Sequence, residues 1–459
     1  EDPVAAMLWF FLAVLLVVGG TYLLFIAGSV ALCRLLQKNK RYYYKTNHFV
    51  SVSSMVYRMK RNGAGLASIC ILCTMVLVML SSTVCLYGGQ ESSLRSRYPR
   101  NIMTDNRADS YEQLREENYA PIRAAIEEVL SAHGQTAAAR NILDYSYVAL
   151  AGVLHEGTIW ANTSNIYNLE DATYGDVWEI FVVSLADYNR LMKTQETLEP
   201  GQLLLYTTKR RFRQESLQFA GTEQVWQVKR VKSFVDNGVD SMQIIPSMFL
   251  IVEDVESFIQ PMAEWAEDYG DSLLQYDWIY GFDLDCTVEE QGTIFYEIMG
   301  KLSQLPEQGV LLHCSVESVA SNRSDFQQMY GGLFFLGIML SIVFVFATTL
   351  IMYYKQISEG YEDQSRFVIL QKVGMTRKEI KKTINSQVMT VFFLPLLAAG
   401  IHLGFAFPFL YKGLMLLNFK NLWLLLQVAI AAYLLFGVGY VVVYRITSRA
   451  YYHLVGGAK

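Results

Sequence analysis

The sequence predicts an α-helical membrane protein with five transmembrane helices and a large α+β extracytoplasmic domain inserted between the second and the third. Three observations predict it. Five apolar runs are each long enough to cross a bilayer, a long polar insert separates the second run from the third, and the insert and the remainder carry charge of opposite sign. Hydrophobic residues make up 52% and mean hydropathy is +0.22. That is too apolar for a soluble chain and too polar for a bare helix bundle, so the composition itself calls for a mixed protein.

A helix rises about 1.5 Å per residue, so about 20 apolar residues cross a hydrocarbon core about 30 Å thick. The runs that satisfy this lie in residues 1–33, 65–87, 330–354, 387–411 and 422–444, with apolar stretches from Ala5 to Leu32, Gly65 to Tyr87, Tyr330 to Tyr353, Gln387 to Tyr411 and Leu422 to Tyr444. None of these stretches contains an Asp, Glu, Lys or Arg. Intramembrane charges mark ion and proton pathways, so a charge-coupled secondary transporter is disfavoured. His402 and Gln427 read as helix-packing hydrogen bonders. Between Arg34 and Arg61 there are eight Lys/Arg and no acid, and between Lys355 and Lys382 seven Lys/Arg. The positive-inside rule makes residues 34–64 and 355–386 cytoplasmic. Residues 88–329 then fall outside with residue 1 and the short loop 412–421, and the tail 445–459 falls inside.

The insert 88–329 holds 18 Lys/Arg against 37 Asp/Glu, and the remainder 20 against 6. An acidic outer domain attracts cations by long-range steering. The first apolar run has no basic segment before it and no small-residue cleavage site after it, so it does not read as a signal peptide. An odd number of spans with an outside start reads as the C-terminal part of a longer membrane protein. Cys70 and Cys73 are spaced C-x-x-C but sit in an apolar helix with Cys85, where they read as packing groups. Cys33 ends the first span. Cys286 and Cys314 are the two outside cysteines, and their pairing is left open.

In the segment 34–64, Val52, Met55, Val56 and Met59 fall at i, i+3, i+4 and i+7, with Arg58, Lys60 and Arg61 beside them. This predicts a basic amphipathic helix lying in the cytoplasmic interface before the chain turns up into the second span. The positive-inside rule accounts for its charge, so no nucleic-acid role is read into it. The insert opens with polar sequence continuing the second span. Pro121 suits the first turn of a helix carrying Ile122, Ile126, Val129 and Leu130. Strands are predicted at Ile142–Leu154, Val177–Leu185, Leu203–Thr208, Val225–Phe234, Asp277–Leu284 and Gly309–Val316. Thr287 and Glu290 form a capping box for a helix with Phe295, Ile298 and Leu302. Glu317–Tyr330 reads as a helix entering the third span, so two helical rods join the outer domain to the membrane.

Between the third and fourth spans, Ser358–Lys382 is charged and amphipathic. Phe367, Leu370 and Val373 fall at helical spacing, Gly374 stands where a helix C-terminus favours positive φ, and Thr376 with Glu379 forms a capping box. Two helices therefore meet at Gly374. Phosphate-binding and hydrolytic motifs are missing: near Gly300-Lys301, Leu302 replaces the hydroxyl residue of a phosphate loop and Phe295 its first glycine, and no second His follows His155-Glu156 at zinc-peptidase spacing. The six histidines are scattered and no G-x-S-x-G elbow occurs. The chain reads as a non-catalytic subunit with neither a nucleotide nor a metal site.

The loop R-x-x-I/L-L-x-x-x-G-x-x-R-x-x-I, here Arg366, Ile369, Leu370, Gly374, Arg377 and Ile380, resembles the FtsX-like permease domain of MacB-type ABC transporters. Gln371-Lys372 and the acidic stretch Glu359 to Asp363 depart from that pattern. The first span, SVSSMVYRMKRN and FFLPLLAAGIHLGFAFP are further similar to the C-terminal half of the bacitracin-type permeases of Gram-positive bacteria, which have ten spans. The resemblance implies that this chain corresponds to spans six to ten and that the N-terminal half of the same permease is a partner. It implies a separate cytoplasmic ATPase dimer that holds ATP and Mg and docks on the loop through Arg366, Phe367, Leu370, Gly374, Met375, Thr376, Arg377 and Ile380. It also implies an outer domain that acts on a peptide antibiotic or a lipid-linked cell-wall precursor, and in many members signalling to a membrane histidine kinase. The alternative it carries is an FtsX-like sensor or scaffold that relays a signal to a wall hydrolase or kinase without transport.

Overall fold

The computed structural model describes residues 3–38, 46–137, 141–161, 176–239, 241, 245–267, 274–304, 313–372, 374, 376–415, 417, 419 and 421–456. Among these, five helices are long and apolar enough to cross a membrane, at Leu8–Ala31, Asn62–Arg97, Val319–Gln364, Phe392–Met415 and Leu422–Arg449. They answer the five predicted spans in order. The chain divides into two compact units, Met7–Gln90 with Gln328–Lys459, and Glu91–Gln327 with the N-terminal residues.

The apolar unit is helical. Helix α1 (Pro3–Leu23) passes through a π-turn at Leu24–Gly28 into α2 (Ser29–Lys38), and α3 covers Thr46–Arg97. Helices α8 (Val319–Lys372), α9 (Arg377–Met415) and α10 (Leu422–Gly456) complete it. The basic stretch from Val52 to Arg61 is helical, but it is the first part of α3 and no break separates it from the span. The expected turn is missing because Gly63 and Gly65 serve close packing. A Cβ on Gly63 would meet Ile26 Cα and Phe25 O at 2.7 Å, and one on Gly65 would meet Lys355 Nζ at 3.2 Å. Cys70, Cys73 and Leu77 of α3 are buried with Phe392, Leu396, Ala399 and Tyr440, so the two cysteines are packing groups as expected. Within these helices Gln427 is exposed and His402 half-buried.

The polar unit is α+β. Its strands are β1 (Ile102–Ala108), β2 (Leu143–His155), β3 (Thr158–Trp160), β4 (Val177–Ser184), β5 (Gln202–Thr207), β6 (Ser216–Phe219), β7 (Val225–Arg230), β8 (Ser247–Val252), β9 (Gln275–Phe282) and β10 (His313–Ser318). Its helices are α4 (Glu116–Ala132), α5 (Leu185–Met192), α6 (Val255–Glu267) and α7 (Val288–Leu302). The strands form one sheet in the order β10-β1-β9-β2-β3-β6-β7-β5-β8-β4, and β4 also pairs with β2, which closes a circuit of seven strands. Alternation along β2, β4, β5 and β8 supplies two cores: Val148, Ile180, Leu203 and Leu250 pack with α6, and Tyr147, Phe181, Leu204 and Phe249 with α5. Helices α4 and α7 cover β1 and β9 through Ile122, Ile126, Trp278, Tyr280 and Ile298. The capping box of Thr287 and Glu290 is present on α7.

Several boundaries differ from expectation. Pro121 lies inside α4, which starts at Glu116; the acids Glu116 and Glu117 occupy the first turn, where they favour the helix dipole. Glu317 and Ser318 close β10, because they pair with Met103 and Ile102, and the helix begins one residue later. β1, β3, β6 and β8 are strands absent from the sequence prediction. The predicted strand to Phe234 stops at Arg230, and residues 309–312 of the last predicted strand lie outside the described residues. Cys286 and Cys314 are free. Cys314 Sγ donates to Asn106 Oδ1 at 2.8 Å, and burial pushes its thiol up to about 12.

Where α3 and α8 reach the sheet unit they are fastened to each other. Arg97 donates two bonds to Glu317, at 2.6 and 2.9 Å, and Arg323 two to Glu91, at 2.7 and 2.9 Å. Tyr98 packs edge-on against Phe326, beside Leu94 and Val319. Two-pronged guanidinium–carboxylate pairs hold orientation as well as charge. Arg97 and Glu317 retain 15% and 33% exposure, against 30% and 54% for Arg323 and Glu91, so the first pair is the less screened. A double-mutant cycle on Arg97→Ala and Glu317→Ala, read by chemical denaturation in detergent, gives a coupling of about 1 kcal/mol, and the Arg323 and Glu91 cycle gives less. Equal couplings would contradict this ranking.

On β1, Asp105 Oδ1 is sealed from solvent and has no hydrogen-bond partner among the described residues. Burial, then the like charge of Asp277, pushes its carboxyl up to about 7, against the opposing pull of Arg107. An acid whose folded pKa is raised binds its proton more tightly when folded, so its contribution is complete below about pH 4 and is lost as pH rises to about 7. The stability of the protein therefore falls across that window, and Asp105→Asn flattens the fall. Denaturation midpoints at pH 5 and pH 8 measure it, and parallel pH dependence in both proteins would refute it.

Candidate functional site

The elbow between α8 and α9 is the first candidate. Helix α8 ends at Lys372, Gly374 has φ +99°, and α9 begins at Arg377. The two helices therefore meet at Gly374, as the sequence predicts. A positive φ disfavours a β-branched residue there on backbone grounds alone, because nothing lies within 4 Å of an added Cβ. Thr376 directly precedes α9 and is exposed, as are Ile369 and Lys372. Arg366, Phe367 and Leu370 lie on α8, and Arg377 and Ile380 on α9, with side chains outside the described residues; Met375 and Val373 lie outside them altogether. Val52, Met55, Val56, Arg58, Met59 and Arg61 all lie on α3, and their side chains are likewise outside the described residues.

A second group of polar residues stands just before the elbow, and the sequence prediction missed it. Lys355, Glu359 and Asp363 follow one another at i, i+4 and i+8, which places them on one face of α8. Glu359 and Asp363 are 6% and 5% exposed. Asn62 Nδ2 donates to Glu359, and Lys355 Nζ donates to Asn62 O at 2.9 Å. Tyr451 of α10, fully buried, donates its hydroxyl to Asp363 Oδ2 at 2.8 Å. Leu66, Ile69, Met352, Phe392 and Tyr440 wall a small cavity of about 10 Å3 that Lys355, Gln356 and Glu359 also line. The signal was present in the sequence as the four-residue spacing of these charges.

In the sheet unit, a cleft of about 190 Å3 is lined by Leu198, Pro200, Trp226, Val252 and Phe258, together with Glu199, Glu253 and Asp254. Trp226 and Phe258 lie 5.0 Å apart. Asp254 accepts from Ser257 N and Ser257 Oγ at the start of α6, and Glu199 accepts from Gln202 Nε2. Two of the three acids are thus engaged in local structure. Among the described residues no three His, Cys, Asp or Glu side chains gather as a metal site.

No family model matches the chain. Curated relatives do. It is 25% identical to the ABC transporter permease protein YxdM of Bacillus subtilis over 86% of this chain and 57% of that protein. It is 22% identical to the uncharacterized ABC transporter permease YvcS of the same species, over 94% of this chain and 62% of YvcS. It is 22% identical to the bacitracin export permease protein BceB of B. subtilis, over 85% of this chain and 55% of BceB. The chain thus spans less than two thirds of the length of each of these relatives. Over most of its own length, this membrane-embedded chain is a homologue of the ABC transporter permeases, bacitracin export permeases among them.

Proposed function

We propose that this chain is part of a MacB-type ABC transporter permease that couples ATP hydrolysis by a separate ATPase to work by the sheet unit on peptide antibiotics or their cell-wall lipid complexes. The observation that carries the reading is α8, one helix from Val319, next to the last residue of β10, to Lys372 at the elbow. A helix shares its backbone bonds along its length, so a displacement at Lys372 is felt along the same element that starts at the sheet. Gly374 lets α9 leave in a new direction and gives an ATPase a short, exposed lever. The excess of basic residues in the two loops supports their cytoplasmic placement and that of the C-terminal tail, with the acidic sheet unit outside the cell. Bacitracin in the names of two relatives supports a peptide ligand. The remaining length of those relatives supports a further membrane half as partner, and the spans without charges support a motor supplied from outside the chain. Resistance and signalling to a histidine kinase both fit this arrangement.

Gly374→Val tests it. A β-branched residue at φ +99° costs about 1–3 kcal/mol of backbone strain and moves the elbow without touching a packed neighbour. In the purified permease–ATPase complex the variant stays assembled, and bacitracin-stimulated ATP turnover falls by at least about fivefold. Full stimulation in the variant would sink the elbow assignment. Bacitracin binding that persists with no effect of ATP in the unaltered complex would favour the sensor or scaffold.

A further inference from the structure

We propose that Glu359, with Asn62 and Lys355, is a positioning group that fastens the elbow end of α8 to α3, so that the two helices move as one body when ATP displaces the elbow. This inference rests on the coupling reading above. A carboxylate that is 6% exposed loses its hydration, and burying a hydrogen-bonded charge is at best neutral compared with an apolar side chain of similar size. Stability therefore does not explain why Met352, which packs with apolar neighbours, is followed on the same face by Gln356, Glu359 and Asp363.

The hydrogen bonds supply another reason. Asn62 is held twice, by its side chain to Glu359 and by its carbonyl to Lys355, so main chain and side chain of α3 are both tied to α8. The next residue, Gly63, has no room for a Cβ against Phe25 and Ile26 at the π-turn of the first span. A helix gripped on two sides at one point cannot slide past its neighbour. Four residues closer to the elbow, Asp363 takes the hydroxyl of Tyr451, which adds α10 to the same fastening. Beside the grip, Gln356 is 4% exposed and its Nε2 has no hydrogen-bond partner among the described residues. It lines the same small cavity as Glu359, so a second donor stands next to the first.

The test uses nitroxide labels at Ala64→Cys and Tyr361→Cys, both exposed positions, with native cysteines replaced by alanine, in the lipid-embedded complex with its ATPase. Label-to-label distances are measured without nucleotide and with ADP–vanadate. In the otherwise native complex the distance distribution is narrow and the same in both states. In Glu359→Leu it shifts or broadens between states while the complex stays assembled and its melting temperature is unchanged or higher. Glu359→Gln, which keeps an acceptor for Asn62, restores the single distance. A distance that already changes in the native complex, or one that stays fixed in Glu359→Leu, overturns the proposal. A loss of melting temperature in Glu359→Leu that Glu359→Gln shares would reduce the group to a structural one and overturn it as well. If ATP turnover in the native complex does not depend on the permease, the coupling reading fails first, and this inference falls with it.

Discussion

Helices α3 and α8 meet at Asn62 and Glu359, at Thr83 and Gly337, at Tyr87 and Phe334, and at Glu91 and Arg323, and the order of these pairs is antiparallel throughout. Each contact uses a different kind of chemistry. A buried amide–carboxylate bond holds the first. At the second, a glycine admits Thr83 where a Cβ would lie 2.4 Å from its methyl group; at the third, two rings stack at 4.8 Å. The last is a two-pronged ion pair. The sequence of α8 changes along its length to suit these partners, from Arg323 through an apolar stretch to Lys355, Glu359 and Asp363. Both helices also carry the chain between the two compact units.

The chain enters the sheet unit from α3 and leaves it into α8. Its first strand begins five residues after α3 ends, its last strand ends where α8 begins, and the two strands lie side by side in register from Ile102 and Ser318 to Arg107 and His313. The chain thus enters and leaves the sheet through neighbouring strands. β1 is also the strand that carries Asn106, whose amide donates to Trp278 O and Thr104 Oγ1, and Asp105, whose carboxyl is shielded. Polar side chains are concentrated where the helices join the sheet, and the apolar strands β4, β5 and β8 lie further along the strand order.

What the sequence made legible follows from the range over which each signal acts. The five spans, the Thr287–Glu290 capping box and the break at Gly374 depend on a few adjacent residues, and they stand where expected. β8 escaped because SMFLIV is buried on both faces and shows no alternation, so its periodicity does not separate strand from helix. β1 escaped because Asp105, Asn106 and Arg107 read as turn residues until their partners on β9 and β10 are known. Pro121 was taken for a helix start because a proline inside a helix is costly by local rules, and the acids before it were given too little weight. The elbow was visible through one glycine and its flanking cap. The polar group at Asn62 was not, because its members lie almost 300 positions apart in the chain, and only the four-residue spacing of Lys355, Glu359 and Asp363 hinted that the acids face inward.

The central claim is that a separate ATPase takes hold of this chain at the elbow between α8 and α9. A photoreactive residue at Lys372, exposed at the end of α8, measures it directly in membranes that contain the partner ATPase, with Ile446 on the exposed face of α10 as the control position. The account predicts that Lys372 captures the ATPase subunit and Ile446 does not. Capture from Ile446 with none from Lys372 would contradict it.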